Sequence, residues 1–249
     1  MNYSWSCQIK VMGNNGNLYK PLKCELINVI DESPLIKTFV LVPDQEFSFA
    51  TGQFIEVTLD GLGEAPFTPS SSPLQRDQLE VTVMKTGYVT DYMHQMKPGD
   101  IMGIRGPFGR GYPVEKFHDK EVLILGGGCG FAPIRSLLYN LIAISDKLRK
   151  VTLCYGSKTP EDCIYKPYIQ ELRNTPKFEV LRSVDQANGD WNERVGVVTV
   201  LLDDVDMDIK NSVAVVCGPP IMMKFGTMKL LEMGYPEDDI YLSMEKNMS

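Results

Sequence analysis

The sequence predicts two architectures in series: an antiparallel β-barrel, then an α/β unit built on a parallel sheet. Three observations carry this. Up to residue 105, short runs rich in β-branched and aromatic residues recur with Gly, Pro, Asp and Ser between them, the pattern of a small all-β barrel. From Glu121 onward, apolar strands alternate with helical patterns, which predicts a parallel sheet covered by helices on both faces. The third is Glu121-Val-Leu-Ile-Leu-Gly-Gly-Gly-Cys-Gly-Phe-Ala-Pro133, where an unbroken apolar run ends abruptly in glycines and a helix opens.

In the first part the spacing predicts strands over 22–30, 36–42, 53–59, 79–83 and 101–105. One short helix over 89–96 is closed by Lys97-Pro98-Gly99-Asp100. In the second part it predicts strands over 122–125, 150–155, 178–183, 212–217 and 240–242, with helices near 133–145, 162–173, 198–203 and 220–233. Residues 122–125 are too apolar for a half-exposed strand and too few for a helix, so they read as a buried parallel strand. A polar stretch, Phe117-His118-Asp119-Lys120, marks the boundary and divides the chain into 1–118 and 119–249. The acidic run Asp203–Asp208 lacks the Gly and distal Glu of a calcium loop and reads as a solvated connection. Met222, Met223, Met228 and Met233 on the last helix read as core filler.

Composition narrows the function. A net charge of −7 and no basic stripe argue against a nucleic-acid partner. No apolar run approaches the ~20 residues needed to span a bilayer, and no secretion signal opens the chain, so a cytoplasmic protein without membrane insertion is expected. Six scattered cysteines without a Cys-x-x-Cys suggest thiols in a reducing compartment. With only His94 and His118, a His-based metal centre is not expected.

Four segments carry chemistry. Gly126, Gly127, Gly128, Cys129 and Gly130, followed by Ala132 and Pro133, place a glycine loop between a strand and a helix N-terminus. Free amides and the helix dipole favour a pyrophosphate there, although a plain strand-to-helix turn has the same outline. In Ala65-Pro66-Phe67-Thr68-Pro69-Ser70-Ser71-Ser72-Pro73, prolines hold an extended backbone that can set an aromatic and hydroxyls against a flat polar ring, although taken alone the segment reads as a Ser/Pro surface turn. Gly87 frees the chain before a helix whose amides near Val89 and Thr90 are open to a phosphate. Cys217-Gly218-Pro219-Pro220 lies at the carboxyl end of a buried strand, where open α/β sheets bind ligands. No His or cation adjoins Cys217 to activate it, so it reads as a ring contact.

These segments, with Gly106-Pro-Phe-Gly-Arg-Gly111, resemble the ferredoxin–NADP reductase superfamily over nearly the whole chain. Within it they look most like the branch that holds the B subunit of anaerobic sulfite reductase, the γ subunits of sulfhydrogenases and the electron-transfer subunit of dihydroorotate dehydrogenase B. The resemblance implies an FAD-binding barrel and an NAD(P)-binding domain. It implies a flavin-dependent oxidoreductase that passes electrons between NAD(P)H and an iron–sulfur or other redox partner subunit. Pro66, Phe67 and Thr68 match the flavin-holding motif, with Phe67 over the ring and Thr68 near N5. Ser70, Ser71, Gly87, Val89 and Thr90 extend that flavin-binding set. Ala65 replaces the family's arginine, which shifts anion binding to the amides near Gly87–Thr90. Gly126–Gly130 match the pyrophosphate loop, and Ser157 and Lys158 lie where the adenosine ribose is read. Acidic Glu161 and Asp162 follow, leaving NADH and NADPH both open. Thr68 and Cys217 are the candidate catalytic residues, with Cys217, Gly218, Pro219 and Pro220 near the nicotinamide. Branch members continue past a Ser-x-Glu-x-x-Met segment, here 243–248, into a cysteine-rich [2Fe-2S] tail. None of the six cysteines has cluster spacing, so no iron–sulfur cluster of its own is expected. The alternatives are a dihydroorotate dehydrogenase electron-transfer subunit and a nucleotide-binding subunit without turnover.

Overall fold

The computed structural model describes residues 20–243. Cys7 and most of the 243–248 segment lie outside them. The first unit holds β1 (Leu22–Ser33), β2 (Ile36–Pro43), β3 (Phe54–Leu59), β4 (Gly63–Phe67), β5 (Leu79–Met84), α1 (Tyr88–Met93) and β6 (Ile101–Phe108). The strands form one antiparallel sheet in the order β4-β3-β6-β1-β2-β5. Its edges are joined just past β4, where Pro69 bridges Val81 and the Ser70 N–H donates to the Glu80 carbonyl at 2.8 Å. Along β1 the buried Leu22, Cys24 and Leu26 alternate with exposed Lys23, Glu25 and Ile27, the period of a strand with one dry face. Those residues close a barrel core with Phe39, Leu41, Ile55, Val57, Val81 and Ile104. Each such side chain contributes about 1.5–3 kcal/mol by leaving water.

Strand β4 falls in a stretch the sequence presented as a loop. Pro66 cannot donate to a ladder, which argues against a central strand, but β4 is an edge in the strand order, where proline is tolerated. Strand β6 also runs three residues past the predicted end, to Phe108, where it pairs with Phe54.

The second unit holds β7 (Glu121–Gly127), α2 (Phe131–Ala143), β8 (Lys150–Ser157), α3 (Lys166–Arg173), β9 (Phe178–Val184), β10 (Arg194–Val195), β11 (Ser212–Cys217), α4 (Pro220–Met233) and β12 (Ile240–Ser243). All pairings in this sheet are parallel, in the order β10-β9-β8-β7-β11-β12. Val122 and Ile124 pack under α2 and α3, while Leu123 and Leu125 pack on the other face against α4 and the 3-10 helix Val198–Asp203. A strand buried on both faces is therefore apolar throughout, as the sequence implied.

Three local expectations are corrected. The helix predicted from 162 begins at Lys166, because Tyr165 takes a left-handed conformation (φ 54°) that cannot continue a helix. Residues 198–203 are a 3-10 rather than an α-helix. Of the four methionines on α4, Met223 is buried but Met228 is exposed, so the core-filling role does not extend to all of them. The acidic run is a connection, as expected; Asp203, Asp204 and Asp208 pair with Lys229, Arg194 and Arg149.

Candidate nucleotide-binding site

The strand order reverses direction at β7: the chain leaves it for β8 on one side and returns to β11 on the other. Their carboxyl ends form the crevice where open α/β sheets take ligands. Register places Gly126 opposite Cys217, so the glycine loop and Cys217-Gly-Pro-Pro220 rise side by side. Gly130 makes this possible. A Cβ there would lie 2.6 Å from Gly218 Cα and 2.7 Å from the Cys217 carbonyl oxygen, so the two backbones approach as only glycine permits. Gly128 has φ +54° and nothing within 4 Å of a built Cβ. It holds the left-handed turn and opens onto free space above the loop. Gly127 lies under Met222 of α4. The turn Gly128–Gly130, with Cys129 half-buried, leads directly into the 13-residue α2, whose first turn contains buried Ala132 and Pro133. The positive end of that helix faces the crevice.

On the barrel side, Phe67 is half-buried against the barrel core, Pro66 is half-buried on β4, and Thr68 is half-buried with no hydrogen bond to its hydroxyl among the described residues. Thr68 is thus the hydroxyl of this strip that remains available to a ligand. Ser70 and Ser71 are not. Ser70 Oγ lies 3.0 Å from Thr82 Oγ1, and Ser71 Oγ accepts the Glu80 N–H at 3.0 Å. Both are buried, and both fix the strip to β5 instead of presenting hydroxyls outward. Further on, Thr90 Oγ1 accepts the N–H groups of Thr86 and Gly87, each at 2.9 Å. That occupies the Gly87 amide. The N–H groups of Tyr88, Val89 and Thr90, at the first turn of α1, have no intrahelical acceptor.

Two other predicted contacts are redirected. Ser157 is buried and donates to the Thr159 carbonyl at 2.8 Å, leaving exposed Lys158 as the outward side chain after β8. Cys217 is 1% exposed. Tyr112, brought in by its N–H bond to the Thr51 carbonyl (2.8 Å), sits close enough to Cys217 for the two to interact. Burial first, then the neighbouring thiol, pushes the Tyr112 phenol far above its ordinary range. The thiol is therefore closed off in this structure, and β11 offers outward the Gly218 backbone and exposed Pro219 and Pro220.

The residues that join the two units gave no motif in the sequence. Arg135 of α2 forms an ion pair with Glu80 of β5. Tyr165 meets Thr82 through its hydroxyl and donates its N–H to Glu32 at 2.9 Å. Nothing in the sequence marked Tyr165, whose left-handed conformation before Lys166-Pro167 is seen only in the structure. Among the described residues, no three His, Cys, Asp or Glu side chains come together as metal ligands, no disulfide is formed, and no helix is long and apolar enough to cross a membrane.

A glycine cradle at a switch point is a feature of nucleotide-binding α/β sheets. An oxidoreductase FAD-binding domain model matches residues 23–112, and an oxidoreductase NAD-binding domain model matches 124–227. The chain is 34% identical to the γ subunit of sulfhydrogenase 2 of Pyrococcus furiosus, over 93% of this chain and 86% of that one. It is 32% identical to a probable dihydroorotate dehydrogenase B (NAD(+)) electron transfer subunit of Methanocaldococcus jannaschii, over 92% of this chain and 79% of the relative. An Amycolatopsis cytochrome P450 reductase superposes with a TM-score of 0.80 at 23% identity, covering 90% of this chain and 69% of that chain. The chain belongs to the FAD- and NAD-binding oxidoreductases with the ferredoxin reductase-like fold.

Proposed function

We propose that this protein is a cytoplasmic electron-transfer subunit that takes electrons from NAD(P)H through FAD and delivers them to an iron–sulfur or other redox centre on a partner subunit. The observation that carries the reading is the closeness of its sulfhydrogenase γ relative over almost the full chain. The cleft of glycine backbone and Thr68 fits the same reading. FAD, when bound, supplies hydride acceptance and release of electrons one at a time. The chain supplies placement. Phe67 would cover the flavin ring and Thr68 would bond its edge, while the amides of Tyr88–Thr90 meet phosphate. Gly126–Gly130 would hold the nucleotide pyrophosphate against the dipole of α2. Holding both rings in one cleft turns an encounter into an intramolecular step. The division into units 1–118 and 119–249 belongs to this reading, the first for FAD and the second for the pyridine nucleotide.

A second reading, delivery of electrons to or from a pyrimidine-oxidising partner, is supported by the dihydroorotate dehydrogenase relatives. Affinity purification from the native host decides between them. Recovery of hydrogenase or sulfite reductase subunits supports the first, and recovery of a dihydroorotate dehydrogenase catalytic subunit replaces it with the second.

A further inference from the structure

Glu80 stands where the two halves of the cleft meet. Its N–H donates to Ser71 Oγ (3.0 Å) and its carbonyl accepts the Ser70 N–H (2.8 Å), so its backbone holds the strip that carries Thr68. Its carboxylate takes the guanidinium of Arg135, five residues along α2 from Gly130. One residue therefore touches the flavin-side strip with its backbone and the nucleotide-side helix with its side chain. Arg135 is held in turn by aromatic rings. Its guanidinium carbon lies 4.4, 5.3 and 5.4 Å from the ring centroids of Tyr165, Tyr139 and Tyr168, and Nη2 donates to the Tyr139 hydroxyl at 2.9 Å.

The neighbouring bonds reinforce the same seam. Thr82 Oγ1 meets Tyr165 Oη and also Ser70 Oγ (3.0 Å) and Thr38 Oγ1 (2.8 Å). The side chains of Arg135 and Glu80 are only 14% and 16% exposed. Ion pairs so buried often add little stability compared with apolar replacements, whereas removing one partner strands the other charge. In some proteins such a pair serves instead to fix one geometry.

We propose that Glu80 and Arg135 are positioning residues for electron transfer from the pyridine nucleotide to flavin. They hold the Thr68–Ser71 strip and the Gly126–Gly130 loop in one frame, through the Glu80 backbone bonds and the Arg135 ion pair. The proposal rests on the function proposed above. A misplacement of about 1 Å between reacting groups costs on the order of a hundredfold in rate, so a rigid link at the seam matters more to the transfer step than to binding.

The test is Glu80→Gln, which keeps the residue's size and both backbone bonds and removes only the charge. In the FAD-free protein, hydrogen exchange followed by mass spectrometry should speed up in segments 68–71 and 126–130 together, although Glu80 contacts only the first. In the FAD-loaded protein, the KM for NADH should stay within about twofold. Single-turnover flavin reduction by NADH should fall by about ten- to a hundredfold, with reduction by dithionite unchanged. Arg135→Lys, which keeps the charge, should restore part of the loss seen in Arg135→Met. If Glu80→Gln does not fold, Tyr165→Phe removes the Thr82 link while keeping the ring, and should loosen the same two segments. Exchange that rises only in 68–71, or a transfer rate equal to wild type, overturns the proposal. A wild-type protein that neither NADH nor NADPH can reduce overturns both the functional reading and this one. A reducible wild type with an indifferent Glu80→Gln variant overturns this one alone.

Discussion

Gly130→Ala probes the closest approach between the β7 and β11 loops. The new Cβ would stand 2.6 Å from Gly218 Cα, 2.7 Å from Cys217 O and 2.7 Å from Gly218 N. All three are backbone atoms, so no side chain can swing away. Ordinary carbon contacts lie near 3.5–4.0 Å, so the two loops must part by about 1 Å. Overpacking of this kind costs roughly 1–3 kcal/mol, and each kcal/mol lowers the melting midpoint by about 2–4 °C at this chain length. The kinetic effect should be larger, because the loops that part are those assigned to the pyridine nucleotide. A displacement of about 1 Å corresponds to a loss of about a hundredfold in flavin reduction by NADH. Gly128→Ala is the control. Its Cβ meets nothing within 4 Å, so it carries only left-handed strain of about 1–2 kcal/mol and leaves the loops in place. The assay pairs a thermal melt with single-turnover reduction of bound flavin by NADH and, separately, by dithionite. Equal NADH rates in wild type and Gly130→Ala would refute the claim that this contact sets the cleft.

Three further outcomes are expected. Thr68→Ala should slow flavin reduction by NADH while leaving the melt unchanged, since its hydroxyl bonds nothing among the described residues; a lowered melting point with an unchanged rate would assign Thr68 to the scaffold instead. Gly128→Val fills the open space above the loop, so NADH should no longer reduce the flavin while dithionite still does; unchanged NADH kinetics would remove this loop from the nucleotide site. His94 has its pKa lowered by burial, with Lys37 and Lys85 adding to the effect against the bond from its ring to the Val83 carbonyl (3.0 Å). The unfolded chain then binds more protons than the folded one, so this contribution to stability is fully present above the unfolded value of about 6.5 and is lost as pH falls through it toward the lower folded value. Urea unfolding across that window should lose part of its pH dependence in His94→Gln, and an identical profile would refute the assignment.

Local signals made much of the fold legible. The strands of the parallel sheet were readable because burial on both faces leaves a continuous apolar run, and the barrel strands because turn residues punctuate them. Strand β4 was hidden by Pro66 and two nearby glycines, which a sequence reading takes as loop chemistry and an edge position tolerates. The start of α3 was obscured because Thr159 Oγ1 donates to Asp162 Oδ2 at 2.9 Å in a local turn, and Tyr165 then reverses the backbone. In the candidate site, the glycine loop was visible because close backbone approach demands glycine wherever it occurs. Which hydroxyls are already bonded within the protein was not visible. Thr68 and Ser70 look alike in sequence, and only the position of β5 turns Ser70 inward. The seam of Glu80, Arg135, Tyr165 and Glu32 could not be read at all, since its paired members lie 55 and 133 residues apart.

That this chain binds FAD and lets NAD(P)H reduce it is the claim on which the rest depends. An anaerobic titration of the purified, FAD-loaded protein with NADH and then NADPH, followed by the flavin absorbance, tests it most directly. The expected result is a yellow protein whose flavin bleaches with about one equivalent of pyridine nucleotide, the stoichiometry of a two-electron donor and a two-electron acceptor. A protein that retains no flavin, or whose flavin bleaches with dithionite but with neither nucleotide, would contradict it.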